Sequence, residues 1–341
     1  MKKTGFVLAG IALFFLSMLS LDPIWDPPKD WPEPSYDFEQ NPLTAEGVEW
    51  GRYLFYDPIL SRDSSISCAS CHLSFTAFTH VDHGLSHGIE DRIGRRNSPA
   101  LMNLAWSEHL MWDGAVHHLD FQPLLPIQDS TEMDHDISLL VEVLNQTASH
   151  KGSCYKAFGD SVVTGERLLK ALSQFQLTLI SANSKYDQVT LGVEGVQFTK
   201  QENQGYKLFT QNCASCHTAP LFTNGDFENG NVPINPQLND LGRFEVSKDS
   251  SDLHKFKVPT LRNIEFSKPY MHDGSIANLT DALDHMSPSR KQNEMASEYI
   301  QLSSDEKVDL MAFLLTLTDK EFLFNPDFGF PRKELPSGEG Y

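Results

Sequence analysis

Two identical pentapeptides carry the most specific chemistry in the chain. Residues 68–72 and residues 213–217 are both Cys-Ala-Ser-Cys-His. At this spacing each of two thiols can bond to one vinyl group of a single haem, and the adjacent histidine offers its imidazole to the iron. A zinc site or a pair of disulfides would use the cysteines but would not require histidine after the second one in both copies. The sequence therefore predicts two covalently bound haem c groups, held by Cys68, Cys71 and His72 and by Cys213, Cys216 and His217.

The two motifs belong to an internal repeat. Downstream of them, residues 99–114 align without gaps with residues 259–274 at a constant offset of 160, and seven of the sixteen positions are identical. This pattern indicates two haem units related by duplication. The same offset places Pro126 of the first half opposite Met286 of the second. A thioether is a suitable sixth ligand for a c-type haem, whereas proline has no side-chain lone pair to offer.

Unequal ligands predict unequal roles for the two haems. An iron held by His217 and Met286 can only pass electrons, whereas an iron with a free sixth position can bind a small oxidant. Glu132 and Gln122 lie near Pro126 in the sequence. A carboxylate over an open haem can take a proton from one oxygen of hydrogen peroxide and return it to the other, and Gln122 can orient the peroxide.

Trp112 is a candidate for electron transfer between the two haems. It stands where the second half has His272. An indole between two haems can relay electrons, although a packed core tryptophan is the alternative on composition alone.

The bulk composition limits the partners and the compartment. The 341 residues include 27 Lys and Arg against 46 Asp and Glu, which gives a formal net charge of −19. This acidity disfavours nucleic acid and suits a basic soluble partner such as a small cytochrome, although a generally solvated acidic surface is the alternative. Residues 1–21 have two lysines before an apolar run, and we predict an export signal that is either cleaved or kept as a membrane anchor. We therefore expect a periplasmic protein.

Apolar periodicity and helix caps predict a mainly α, loop-rich fold of two cytochrome c-like domains. We expect helices at residues 45–56, 137–144, 166–180, 279–286 and 303–318, and another that begins after Thr199. The predicted divisions are a linker over residues 22–44, a first haem domain over residues 45–185 and a second over residues 196–302.

Over about residues 45–318 the chain resembles the bacterial di-haem cytochrome c peroxidases. Besides the two pentapeptides, the resemblance rests on segments that are listed here: Arg96-Asn97-Ser98-Pro99, Trp112-Asp113-Gly114, Gln122 with Pro126-Ile127, Glu132-Met133, Val258-Pro259-Thr260-Leu261-Arg262-Asn263 and Pro269-Tyr270-Met271-His272-Asp273-Gly274.

The resemblance implies a role for each matching residue. Glu132 corresponds to the catalytic acid and base, Gln122 to a glutamine of the peroxide pocket, Trp112 to the tryptophan between the haems and Met286 to the distal ligand of the high-potential haem. His87 lies in the loop where the family has a histidine that ligates the first iron at rest. This loop is longer here, so His83 is the alternative.

The resemblance also implies one calcium ion between the domains. Its ligands here would be the side chain of Asn97 and the backbone carbonyls of Ser267 and Pro269, which are oxygen ligands of the kind that a hard cation prefers. In the family's architecture the C-terminal segment, residues 303–341 here, packs back onto the first domain.

The implied activity is the reduction of hydrogen peroxide to water with electrons from a small cytochrome c or cupredoxin. One alternative is peroxide-dependent oxidation of a Trp or Tyr on a partner protein, as in relatives that mature methylamine dehydrogenase. Those relatives carry Tyr where Met286 stands, which argues against this alternative. The third alternative is a di-haem electron carrier without enzymatic activity. The sequence leaves open whether the protein forms a homodimer.

Overall fold

The structure is a computed structural model that describes residues 24–288 and 300–332, so the predicted export signal at residues 1–21 lies outside the described residues. Within these ranges the protein is mainly α-helical, as predicted, and no helix among them is long and apolar enough to cross a membrane. The elements are α1 (Ala45–Tyr56), α2 (Cys68–Cys71), α3 (Leu124–Gln128), α4 (Ile137–Gln146), α5 (Ala148–Phe158), α6 (Gly165–Leu177), α7 (Lys185–Thr190), α8 (Lys200–Asn212), β1 (Phe227–Glu228), α9 (Phe244–Ser247), β2 (Phe256–Lys257), α10 (Leu279–Met286), α11 (Ser304–Leu315) and α12 (Lys320–Leu323).

The first haem unit is built on helices α1 and α6, which pack against each other. Helix α1 begins after Thr44, whose hydroxyl oxygen accepts a backbone N–H of the first turn, and it buries Trp50 and Leu54. Helix α6 buries Leu168 and Leu172, which lie on one face at the spacing that the sequence predicts. Apolar burial of this kind holds the chain that enters the first pentapeptide against the core.

The second unit repeats this pair with helices α8 and α11. Both helices begin with capping boxes, Thr199 with Glu202 and Ser303 with Glu306, and from both of these boxes the sequence predicts a helix start. Phe313 of α11 is fully buried in the second core.

Equivalent asparagines show the duplication in detail. Asn103 and Asn263 both adopt a left-handed backbone, with φ of 55° and 56°. The Oδ1 of Asn103 accepts the N–H of Ser181 at 2.9 Å, and the Oδ1 of Asn263 accepts the N–H of Asp319 at 2.7 Å. In each unit the asparagine therefore ties the segment after the pentapeptide to the end of the second helix of the pair.

The C-terminal segment corrects one expectation drawn from the resemblance. Residues 303–341 were expected to pack back onto the first domain, but α11 packs on α8, because its apolar face completes the second core. Only the chain after α11 returns to the first unit: Phe322 joins the first core, and Arg52 donates from Nε to the carbonyl oxygen of Gly329 at 2.8 Å. Residues 333–341 lie outside the described residues.

A buried charge cluster joins the two units. The guanidinium of Arg96 donates to Asp113 at 2.6 Å and to both oxygens of Asp240 at 2.7 and 2.8 Å. The next residue, Asn97, donates its backbone N–H to the carbonyl of His272 at 2.7 Å. Removing one partner of such a buried pair leaves an uncompensated charge, so this contact fixes how the two units meet.

A glycine in each unit permits the close approach of the paired helices. A Cβ at Gly205 would lie 1.9 Å from the carbonyl oxygen of Asp309, and one at Gly51 would lie 1.8 Å from that of Ala171. We expect Gly205→Ala to lower the free energy of unfolding of the holoprotein by about 1–3 kcal/mol, because the helices must separate. Thermal and denaturant unfolding measure this change.

The matched control is Gly152→Ala, in the exposed middle of α5, where an added Cβ meets nothing within 4 Å. There we expect a gain of about 0.5–1 kcal/mol from the better helix propensity of alanine. Equal effects of the two substitutions would contradict the close packing of α8 on α11.

Candidate functional site

The first pentapeptide presents its histidine in a defined tautomer. Residues Cys68–Cys71 form helix α2, and the backbone N–H of His72 donates to the carbonyl oxygen of Cys68 at 2.9 Å. The Nδ1 of His72 lies 2.6 Å from the carbonyl oxygen of Phe78. Since a carbonyl only accepts, Nδ1 carries the proton and Nε2 is left with its lone pair for a metal. Burial lowers the pKa of His72 to about 4, which keeps the ring neutral.

The second pentapeptide repeats this arrangement after α8. The N–H of His217 bonds to the carbonyl of Cys213 at 2.9 Å, and its Nδ1 donates to the carbonyl oxygen of Phe222 at 3.2 Å. Burial lowers the pKa of His217 as well. Both units therefore offer two thiols and one oriented imidazole nitrogen, which is the donor set that a c-type haem requires.

A cavity of about 820 Å³, called the shared cavity below, lies at the second pentapeptide and extends to the junction of the units. Cys213, Cys216 and His217 line it together with Met286 at the end of α10. The remaining wall is largely apolar, and its leucines are Leu101, Leu104, Leu110, Leu221, Leu238, Leu261, Leu279, Leu283, Leu302, Leu310 and Leu314. Its size, apolar wall and donor atoms fit a haem that is ligated by His217 and Met286.

Met286 and its neighbour His285 have different surroundings. Met286 lines the cavity, whereas the Nε2 of His285 lies 2.8 Å from the carbonyl oxygen of Gly230. His285 is absent from the cavity wall formed by the described residues. Of these two adjacent residues, Met286 is therefore the one that lines the second haem site.

Glu132 lies beside the first pentapeptide, on the turn that follows α3. Its charge raises the pKa of the Cys68 and Cys71 thiols, although burial raises both pKa values more. Burial, and after it the charge of the neighbouring Asp129, raise the pKa of Glu132 itself to about 7. A carboxyl group with a pKa near neutrality can both accept and donate a proton at physiological pH.

The loop that contains His87 packs directly on the Glu132 turn. Ile89 donates its N–H to the carbonyl of Glu132 at 2.8 Å. A Cβ at Gly88 would lie 2.2 Å from the carbonyl oxygen of Thr131, so glycine is needed for this approach. The Nδ1 of His87 bonds to Asp91 Oδ1 at 2.5 Å. Its role as a resting ligand stays a prediction, as does the alternative at His83, whose ring is centred 4.6 Å away.

An ion-pair network clamps this loop to the same turn. Arg62 pairs with Glu90 at 3.0 Å and with Asp134 at 3.2 Å. Arg92 pairs with Asp134 at 2.9 Å and also with Glu90. Because each partner serves two others, the network holds the turn of Glu132 more firmly than isolated surface pairs would.

Trp112 lies where the two units meet. Its indole N–H donates to the carbonyl of Asn97 at 2.8 Å, and its own carbonyl accepts the N–H of Lys257 at 2.7 Å. Trp112 and Gln122 both line the shared cavity, and Gln122 donates from Nε2 to the sulfur of Met111 at 3.5 Å. Their proposed roles in electron transfer and in peroxide binding stay predictions.

The predicted calcium ligands also meet at the junction. Asn97, Ser267 and Pro269 all line the shared cavity. In the described part of the chain, the carbonyl oxygens of Ser267 and Pro269 accept no hydrogen bond. The described residues contain no cluster of three His, Cys, Asp or Glu suited to a metal, but the predicted site uses neutral oxygens instead.

Sequence reasoning missed two residues that shape the first site. Asp129 raises the pKa of Glu132, and Gly88 admits the loop to the Glu132 turn. Asp129 lies three residues before Glu132 in the sequence, and this spacing was the signal that could have indicated its effect on the pKa of Glu132. Nothing in the local sequence around Gly88 indicates a contact with residue 132.

Comparison with known proteins identifies the family. A family model described as di-haem cytochrome c peroxidase matches residues 45–195, and one described as cytochrome c matches residues 203–318. The methylamine utilization protein MauG of Methylophilus methylotrophus is 34% identical over 286 residues, which cover 81% of this chain and 84% of that protein. Cytochrome c551 peroxidase of Nitrosomonas europaea is 32% identical over 294 residues, which cover 85% and 84%. The chain belongs to the di-haem cytochrome c peroxidase family.

Membership confirms the prediction made from the pentapeptides. As a member of this family, the present protein is an oxidoreductase with two cytochrome c units and two covalently bound haem c groups. The crystal structure of a MauG-like protein associated with microbial copper homeostasis has the same fold, with a TM-score of 0.80 and 29% identity over 90% of this chain and 99% of that one.

The position of Met286 generates a spectroscopic prediction for the di-haem protein. We expect Met286→Ala to remove the weak ferric absorption band that a sulfur ligand produces at long wavelength. We also expect it to lower the reduction potential of haem 2, the haem attached at Cys213 and Cys216, because a thioether ligand favours the reduced iron. Absorption spectra and a redox titration measure both effects.

The adjacent substitution His285→Ala is the control, since His285 bonds to the Gly230 carbonyl and does not line the cavity. It should leave the band and the potential in place. A band that survives in Met286→Ala would show that another group ligates haem 2.

Proposed function

We propose that this protein reduces hydrogen peroxide to water, using two electrons and two protons per peroxide. The observation that carries the proposal is the inequality between the two distal sides. Met286 faces the second haem site, whereas α3 of the first unit has Pro126 at the corresponding position of the repeat. Glu132 lies beside this first site with a pKa near neutrality.

When bound, a haem without a sixth protein ligand supplies an iron that can take up peroxide and deliver electrons to its O–O bond. Glu132 then acts on the protons. Its carboxylate accepts the proton of the near oxygen and donates it to the far oxygen, which leaves as water. We assign to Gln122 the role of orienting the peroxide, and the ion pairs around the turn keep the Glu132 carboxylate in place.

Electrons reach the first site from the second. His217 and Met286 would hold haem 2, which would supply a centre that takes up electrons one at a time from a soluble donor. Trp112 occupies the junction, with its indole bonded to Asn97 and its backbone bonded to Lys257 of the second unit. This position supports a role for the indole as the bridge between the two haems.

The finer assignments follow from the family and the charge. We propose His87, or else His83, as the resting ligand of haem 1, the haem attached at Cys68 and Cys71. We also propose one calcium ion at Asn97, Ser267 and Pro269. The net charge of −19 supports a basic electron donor, namely a small cytochrome c or cupredoxin. The apolar segment after Lys2 and Lys3 supports export to the periplasm.

The second candidate function is peroxide-dependent oxidation of Trp or Tyr on a partner protein. It is favoured by the 34% identity to a methylamine utilization protein. The methionine at position 286 argues for the peroxidase, because a thioether raises the potential of haem 2 and so eases the uptake of electrons from a soluble donor.

Peroxide turnover with a reduced small cytochrome, measured on the oxidised and on the half-reduced holoprotein, separates these functions. Stoichiometric donor oxidation, two electrons per peroxide, supports the peroxidase. Consumption of peroxide without donor oxidation would favour the second candidate. No reaction with peroxide in either redox state would contradict both.

Glu132 generates a prediction on pH dependence. The ionised carboxylate is the active base, so kcat/KM for peroxide should rise as pH increases through about 7 and level off above it. Glu132→Gln should lower kcat/KM by about 10²–10⁴-fold and remove this rise, since loss of a general base costs that much. Steady-state rates at saturating donor give the profile.

Asp129→Asn is the matched variant. It removes a negative charge that raises the pKa of Glu132, so the rise should move to lower pH while the plateau rate stays the same. An unchanged profile in Asp129→Asn, or full turnover by Glu132→Gln with both haems present, would remove Glu132 from the mechanism.

A further inference from the structure

Lys257 is an unpaired cation in the wall of the shared cavity. Of the described residues that line this cavity, Lys257 is the one Lys or Arg. It belongs to β2, pairs with Phe227 of β1 and bonds through its backbone N–H to Trp112. Within the described part of the chain, its ammonium group forms neither an ion pair nor a hydrogen bond. Burial lowers the pKa of Lys257 to about 8, and no neighbouring carboxylate offsets this effect.

Glu108, Asp226 and Glu228 also line the cavity, but none of them compensates the Lys257 ammonium, since burial alone shifts its pKa. Arg243 donates to the carbonyl oxygens of Asp113 and Gly114 at 2.9 and 3.0 Å. Asp240, which also lines the cavity, is held by both of its oxygens to Arg96. The nearby Lys255 pairs instead with Asp252 at 3.6 Å, outside the cavity wall.

Lys257 is half-buried, and an unpaired ammonium that is partly withdrawn from water is costly, so native proteins compensate such a group with a counter-charge. In a chain of net charge −19, a cation without a carboxylate partner indicates an anion that the protein itself does not provide. The cavity holds haem 2, and a haem carries two propionate carboxylates. Thioether bonds at Cys213 and Cys216 fix the vinyl edge of the ring, so the propionates lie at the opposite edge.

We propose that the ammonium of Lys257 pairs with a propionate of haem 2 and thereby raises the reduction potential of that haem. A positive charge beside the ring disfavours the ferric state, which carries one more positive charge than the ferrous state. The same residue bonds through its backbone to Trp112, so the pairing also fixes this edge of haem 2 against the junction. It requires only that haem 2 is attached at its pentapeptide, and it does not depend on peroxide as the substrate.

A redox titration of the holoprotein, followed by the absorption of each haem, tests this assignment. Lys257→Met removes the charge at similar length, Lys257→Arg keeps it, and Lys255→Met removes an equal charge two residues away. We expect the potential of haem 2 to fall in Lys257→Met and to stay near the wild-type value in Lys257→Arg and Lys255→Met. The redox-difference infrared spectrum should show a propionate carboxylate band that shifts in Lys257→Met but not in Lys257→Arg.

Several outcomes would overturn the assignment. These are an unchanged haem 2 potential in Lys257→Met, an equal fall in Lys257→Arg or Lys255→Met, or a shift confined to haem 1. Haem content and thermal unfolding are measured for every variant. If Lys257→Met fails to fold or to load haem, Lys257→Gln replaces it, because glutamine removes the charge but keeps a polar group in the cavity.

Discussion

The thioether of Met286 and the imidazole of His217 face one cavity, and this pairing is the constraint on which the rest of the molecule depends. Helix α10 is only eight residues long and ends at Met286, and its N-cap Asn278 accepts the backbone N–H of Asp281. The short capped helix thus sets where the sulfur lies. The first unit uses the same repeat but places proline there, within α3. The two haem units, which are related by duplication, are therefore expected to differ in what their distal sides can bind.

Electrostatic interactions shape both the surroundings of Glu132 and the junction of the two units. Burial raises the pKa of Glu132 to about 7. The ion-pair network of Arg62, Arg92 and their acidic partners holds the turn on which Glu132 lies. At the junction, Arg96 is bound by two aspartates from different units. These ion pairs fix the loops of Trp112 and Asn97 against the second unit, so the indole that we propose as a bridge between the haems is held in place.

The sequence predicts best what local signals determine. Helices α1 and α10 occupy the predicted residues 45–56 and 279–286, because caps and apolar spacing define both. The partners of Arg96 and the unpaired state of Lys257 could not be predicted. They depend on contacts with the segment between α8 and α10, where long loops surround only short elements. The packing of α11 was predicted wrongly, because the family's architecture was applied to the whole C-terminal segment, whereas the apolar face of α11 completes the second core.

Cyanide binding to the half-reduced holoprotein tests the inequality of the two irons most directly. With haem 2 reduced and haem 1 oxidised, absorption and electron paramagnetic resonance spectra count the cyanide bound per chain and identify the haem that binds it. The unequal distal sides predict one cyanide per chain, bound at haem 1, with the methionine-ligated haem 2 unchanged. Binding at both haems, or at neither, would contradict the account.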